Sequence, residues 1–206
     1  MRLAADHLSR SLGGRRIFGP ISFEVLDGRV LGIAGNNGAG KTTLLKVLAG
    51  LLRPTAGSIL LERGGGAPPL APRDASRHLG WGAPDFILYG ELYAMENLKF
   101  FSRLAGDGDA ASSAAAALAD VDLDPEKQGK LLTRSLSTGQ RQRLKLACAT
   151  LHAPELLLLD EPGANLDEAG RAIVSKVVAT QRRRGIAVIA SNDTRDLGLA
   201  DEVLKL

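Results

Sequence analysis

The chain lacks the raw material for several kinds of work. It has one cysteine in 206 residues, Cys148. That excludes an internal disulfide and a thiolate metal cage, fits a reducing compartment, and leaves Cys148 to read as a small helix residue. His7, His78 and His152 are scattered without ligand spacing. No uninterrupted apolar run approaches the roughly 18 to 20 residues that cross a bilayer, and the N-terminus "MRLAADHLSR" carries no apolar signal region. The chain is therefore expected in the cytoplasm, with any membrane crossing left to another polypeptide. An excess of one charge is missing too: 26 basic and 23 acidic residues give a formal charge of +3. That near balance offers little non-specific attraction for nucleic acid or anionic lipid, and no nucleic-acid partner is expected. There is no internal repeat. What is present in quantity is apolar side chain, 45% of the chain, enough for one compact domain with a real core.

The pattern along the chain predicts an α/β fold. "ISFEVLDGRVLGI", residues 21 to 33, reads as two β runs around the turn "DG", a hairpin signal. A glycine-rich loop follows, then "KTTLLKVLAGLL" with helical apolar spacing, then "SILLE" as a strand. Residues 63 to 74, "RGGGAPPLAPRD", read as an exposed loop. From about Met95 to Leu151 the composition turns to Ala, Leu and charged residues, which favours helices. Strand patterns return at 155 to 160 and 186 to 190, with helical periodicity at 168 to 184 between them. That spacing fits two parallel strands and a crossover helix. "QRRRG", 181 to 185, reads as a solvated helix end, and Trp81 as core beside a strand.

The strongest chemical signal is "GNNGAGKTT", comprising Gly35, Asn36, Asn37, Gly38, Ala39, Gly40, Lys41, Thr42 and Thr43, between a strand and a helix. Glycines at 35, 38 and 40 let the backbone bend so that successive N–H groups face one centre, and the helix adds a partial positive charge. Lys41 should reach the β and γ phosphates of a nucleotide, Thr42 should ligate Mg²⁺, and Thr43 should donate to the α phosphate. "LLLLDEP" sets Asp160 and Glu161 at the end of an apolar strand. Asp160 suits the metal's shell, and Glu161, one residue on and pointing elsewhere, suits the attacking water. "GIAVIASNDTRD" raises a question of its own. An apolar run that ends on Ser191, Asn192 and Asp193 is either a turn or a strand delivering a polar group to a ligand at the sheet edge.

In "SLSTGQRQRLKLACATL", residues 135 to 151, Ser137 can cap a helix, and Gly139 and Gln140 sit at its positive end. "LSTGQ" resembles the signature of ATP-binding-cassette (ABC) ATPases, with Thr138 where the family usually has Gly. With "GNNGAGKTT", "LLLLDEP" and "GANLD", the resemblance covers nearly the whole chain. It implies an α/β phosphate-loop NTPase core of ABC type with an N-terminal antiparallel β subdomain and an inserted α-helical subdomain. As one domain over 1–206, the core would be 1–83 and 152–206, and the helical part about 84–151. It also implies ATP and Mg²⁺ as ligands, and a head-to-tail dimer with a second ABC ATPase subunit, identical or not. In that dimer the "LSTGQ" of one subunit meets the γ phosphate of the other, and Asp167 lies at the interface. An integral membrane permease would be the further partner, meeting the loop through Tyr89 and placing the chain peripherally on the inner face of the cell membrane.

Departures from the family pattern are equally specific. The adenine-stacking aromatic falls at Leu12, a catalytic-loop glutamine at Pro84 with Asp85 beside it, and the γ-phosphate histidine at Asn192. Asn has an amide donor and an acceptor but no titratable proton. These variants and the short length resemble the ATPase subunit of haem exporters for cytochrome c maturation. Two other readings stay open: a nucleotide-gated assembly module with little hydrolysis, and a non-transport ABC ATPase.

Overall fold

The computed structural model describes residues 1–63, 69, 78–106 and 108–206. Most of the loop expected at 63 to 74 lies outside the described residues. β1 (Arg2–Leu12) and β2 (Arg15–Leu26) form an antiparallel hairpin, and β4 (Ala56–Glu62) pairs with the other side of β1. The hairpin turns on Gly13 and Gly14, both at positive φ (55° and 78°), as a two-residue turn matched to strand twist requires.

The hairpin expected at 21 to 33 does not form. The chain does turn there, with Arg29 N–H donating to Leu26 O at 3.1 Å, but β3 (Val30–Ala34) leaves for a second sheet. The reason lies in "VLGIA", which is apolar on both faces and is buried on both only between parallel neighbours, whereas β2 is partly exposed along its length. The second sheet has the order β5-β6-β7-β3-β8, every pairing parallel, from β5 (Leu79–Gly82), β6 (Leu156–Asp160), β7 (Ile186–Ser191) and β8 (Glu202–Lys205). α5 (Glu168–Gln181) is the crossover from β6 to β7 that the spacing predicts.

Strand alternation divides the core in two. Leu156, Leu158, Ile186, Val188 and Ala190 pack with α1 (Lys41–Leu48) and the three-stranded sheet; Leu157, Leu159, Ala187 and Ile189 pack with the helical side. That side holds α2 (Ala94–Leu104), α3 (Ala110–Asp120) and α4 (Thr138–Thr150). Buried Asn97 fastens the 83–93 loop to α2, accepting from Tyr89 N–H and donating to Tyr89 O and Thr133 Oγ1, each at 2.9 Å. Cys148 is buried in α4, where burial pushes its thiol well above the ordinary range and leaves it unreactive. Trp81 is half-buried and packs on the α1-side core.

The "QRRRG" segment needs correcting. Arg183 and Arg184 are exposed, but Arg182 donates to both Asp201 carboxylate oxygens (2.9 and 2.7 Å) and to Leu199 O (2.9 Å), and Gln181 is buried against Pro154 O and Ile186 O. The helix end packs on the last strand's approach, so the inner side of the turn finds partners that a run of like charges conceals.

Candidate functional site

The site residues converge because three parallel strands end level. Ala34 of β3 pairs with Ser191 of β7, and Ala190 of β7 with Asp160 of β6. Open parallel sheets bind ligands at this edge. From Ala34 the chain enters the Gly35–Gly40 loop, closed by Ala39 N–H donating to Asn36 O at 3.0 Å. Gly40 is the N-cap of α1 at φ 99°, and a Cβ there would press on Ile17 O; Gly38, at φ 84°, faces open space. No side chain caps α1. The amides of Lys41, Thr42 and half-buried Thr43, in its first turn, have no partner within the helix by geometry, which makes a cradle for an anion.

Lys41 is 6% exposed and folds across this cradle, donating to Gly35 O (2.7 Å) and Asn36 O (3.4 Å), with Glu161 Oε1 at 3.4 Å. Asp160 continues the face of Leu156 and Leu158, which looks onto α1, so it meets Thr42, whose hydroxyl donates to Asp160 Oδ2 at 2.5 Å. Burial pushes the Asp160 carboxyl above its usual range; the Thr42 hydrogen bond opposes that shift and the nearby Glu161 charge adds to it. A buried anion beside a second anion and a hydroxyl is a hard-oxygen environment suited to Mg²⁺. Among the described residues no cluster of three or more His, Cys, Asp or Glu could form a protein-only cage. This pair therefore fits an ion that takes further ligands from phosphate and water.

Glu161 sits at φ 47°, a left-handed conformation that costs a non-glycine residue on the order of 1–3 kcal/mol. Its amide holds the bend by donating to Ala190 O at 2.8 Å. The bend takes its carboxylate away from Asp160's neighbour Thr42 and toward Ser191, whose hydroxyl donates to Glu161 Oε2 at 2.8 Å. At the end of β7 the "SND" segment turns, and its side chains divide between a helix cap and the glycine loop. Asp193 caps α6 (Thr194–Leu197) through Arg195 N–H at 2.9 Å, while exposed Asn192 donates from Nδ2 to Asn37 Oδ1 of the loop at 3.2 Å.

Among the described residues, the other expected site residues make no hydrogen bond to this centre, although the charge of Asp85 reaches it and adds to the upward shift of Asp160. Leu12 is 68% exposed at the hairpin tip. Ser137 caps α4, accepting from Gln140 N–H at 3.1 Å while Gln140 Oε1 accepts from Ser137 N–H at 2.9 Å. A Cβ on Gly139 would meet Asn165 O at 3.5 Å and Leu166 Cδ2 at 3.9 Å, both ordinary contacts, so the chain's own packing does not demand glycine there. Among the described residues, none of these side chains bonds to the Gly35–Thr43 loop. Asp85 is held by Lys46 Nζ at 2.6 Å, and Pro84 O accepts from Lys145 Nζ at 2.5 Å, which pins this corner between α1 and α4.

Sequence reasoning did not single out Ser191, Asp196, Arg171, Lys46 or Lys145 as functional. A polar residue at an inward position of a fully buried strand was the available signal for Ser191. The others become visible only when segments distant in sequence are packed together.

Known proteins resemble the chain over most of its length. Residues 18–164 match the ABC transporter family. The chain is 40% identical over 189 residues to the cytochrome c biogenesis ATP-binding export protein CcmA of Xanthomonas campestris, covering 92% of this chain and 85% of that protein. It is 38% identical to CcmA of Rhizobium meliloti, covering 97% and 94%. It is also 31% identical to the probable multidrug ABC transporter ATP-binding protein YbhF of Escherichia coli, covering 94% of this chain but only 33% of that longer protein. Among solved structures, an ATP-binding subunit of an ABC transporter aligns with a TM-score of 0.83 at 25% identity, covering 100% of this chain and 86% of that one. The dimeric bacterial ABC transporter cassette MJ0796 aligns with a TM-score of 0.85 at 20% identity, covering 99% and 94%, a likeness of fold alone. The chain thus belongs to the ABC transporter ATP-binding family.

Proposed function

We propose that this chain binds and hydrolyses MgATP as the motor subunit of a membrane transporter. The observation that carries the reading is the meeting of Lys41, Thr42, Asp160, Glu161 and Asn192 at one sheet edge around an uncapped helix N-terminus. Lys41 and the amides of the first turn of α1 bind the β and γ phosphates and stabilise the charge that develops on transfer. Thr42 and Asp160 would hold Mg²⁺, which when bound neutralises phosphate charge. Glu161 orients water and takes its proton as the new P–O bond forms and the bond to the ADP oxygen breaks. Asn192 contacts the γ phosphate from the end of β7, and Leu12 gives the base an apolar contact without ring stacking.

Ser137, Gly139 and Gln140 would serve the nucleotide held by a second subunit in a head-to-tail dimer. The exposure of Ser137, the room for a side chain at Gly139 and, among the described residues, the absence of any bond from these residues to the chain's own Gly35–Thr43 loop support that role. The helical part, about 84–151, would dock on a membrane permease. In its favour are the exposed apolar side chains Ile87, Tyr89, Phe100 and Leu104, with Tyr89 and Phe100 edge to face at 5.2 Å. No helix among the described residues is long and apolar enough to cross a membrane. Peripheral attachment on the inner face of the cell membrane therefore rests on that docking. The similarity to CcmA favours haem export or cytochrome c maturation as the process served. A deletion strain that still makes haem-loaded c-type cytochromes would refute it.

A second reading, a nucleotide-gated assembly module with little hydrolysis, is favoured by Pro84, which has no side-chain amide where the family has glutamine, and by Asn192, which has no imidazole where the family has histidine. Phosphate-release assays separate the two. The motor reading expects steady MgATP turnover that falls more than ATP affinity in Asn192→Ala and is kept or raised in Asn192→His. Unchanged turnover in Asn192→Ala would return that residue to a plain turn.

A further inference from the structure

Ser191 is fully buried (0% exposed), with its hydroxyl oxygen between two carboxylates, 2.8 Å from Glu161 Oε2 and 2.9 Å from Asp196 Oδ2. One hydroxyl has one proton to donate, so the two contacts are alternatives. Asp196, 3% exposed, is already supplied: Gly163 N–H donates to Oδ2 at 3.3 Å, and Arg171 Nη1 lies 3.4 Å from Oδ1. Arg171 is fixed in turn by Asp193 Oδ2 at 2.9 Å, and Asp193 N–H donates to the Ser191 oxygen at 3.1 Å. Glu161 has two other donors as well, Lys41 at 3.4 Å and the Asn192 amide at 3.5 Å, but its amide contact is longer than that of Asp196 and its oxygen is the nearer to the serine hydroxyl, 2.8 Å against 2.9 Å. The serine proton therefore goes to Glu161.

Gly163 makes this arrangement possible. A Cβ at that position would overlap Asp196 Oδ1 and Arg171 Nη1, so the missing side chain is the space the Asp196–Arg171 pair occupies beneath the 163–167 loop. We infer that Ser191 and Asp196 form a positioning pair. Ser191 orients the Glu161 carboxylate, and Asp196, the competing acceptor, is kept off the serine proton by Gly163 N–H and Arg171, which links that orientation to the 163–167 loop. Displacement of the loop shifts Asp196 and changes which carboxylate receives the serine proton, so loop position sets how well Glu161 is aimed. The inference rests on Glu161 being the residue that activates water.

Steady-state ATP hydrolysis by Glu161→Gln, Ser191→Ala, Ser191→Thr and Gly163→Ala tests it, alongside thermal melts. Loss of a hydrogen bond to a charged group predicts kcat about 10- to 100-fold lower in Ser191→Ala. KM should stay within about threefold of wild type, the mark of an interaction spent on the transition state rather than on binding. Ser191→Thr, which keeps the hydroxyl, should restore kcat. Gly163→Ala, which leaves Ser191 in place but pushes Asp196 off its Gly163 and Arg171 donors so that it draws the serine proton from Glu161, should lower kcat with KM unchanged and covers the case in which Ser191→Ala does not fold. Wild-type kcat in Ser191→Ala or Gly163→Ala, with Glu161→Gln inactive, overturns the positioning pair and leaves the role of Glu161 standing. An equal loss in Ser191→Ala and Ser191→Thr also overturns it, because the hydroxyl would then be irrelevant. An active Glu161→Gln overturns the underlying reading instead.

Discussion

Replacing Glu161 with glutamine is expected to lower ATP turnover by about 10²- to 10⁴-fold, the usual worth of a positioned general base, with ATP affinity nearly unchanged. The substitution keeps the shape of the side chain and an oxygen that can still accept from Ser191 Oγ, so the bend at φ 47° should survive. What is lost is the ability to take a proton from water, together with the negative charge near Lys41 Nζ. Removal of that charge leaves Lys41 freer to serve phosphate, so affinity should hold or rise. Phosphate release and equilibrium nucleotide binding, measured on the same preparation, read the two effects separately. Turnover persisting near the wild-type rate would assign water activation to another group.

Lys41→Ala is expected to act on the other side of the ledger, through binding. Lys41 is a nearly buried cation held by two carbonyls of its own loop and facing Glu161. Truncating one partner of a desolvated, hydrogen-bonded charge contact costs about 2–5 kcal/mol, and ATP affinity should fall on the order of 30- to several-thousand-fold. Glu161 and Asp160 would then face the γ phosphate without a compensating side-chain cation nearby, so turnover should be lost as well. Isothermal titration with ATP checks the binding loss. Affinity within about threefold of wild type would mean that the backbone cradle alone carries binding, against the role given to this lysine.

Most of the site was legible in the sequence because its parts are local: a glycine loop, a strand end with two acids, and a helix cap each declare themselves within a few residues. Their convergence follows from parallel strands ending level, which the βαβ spacing implies. The Asp27–Gly28 turn misled because a tight turn specifies only a change of direction. Which sheet receives the next strand was decided by the two-sided burial of "VLGIA". Arg182 misled because three consecutive arginines look alike in sequence, and only packing shows that one of them reaches Asp201. Ser191, Asp196, Arg171 and Gly163 were missed as a unit because their contacts join the end of β7, α6, α5 and the loop after β6. No spacing rule connects these segments, and Gly163 matters there only through the space its absent side chain leaves.

The central claim, that a second copy of this chain completes a hydrolytic MgATP site at this sheet edge, is tested most directly by phosphate release from the purified wild-type chain over a wide range of protein concentration. The account predicts saturable, Mg²⁺-dependent release whose rate per chain rises with protein concentration as dimers form. ATP binding with no release above buffer at any concentration would contradict it.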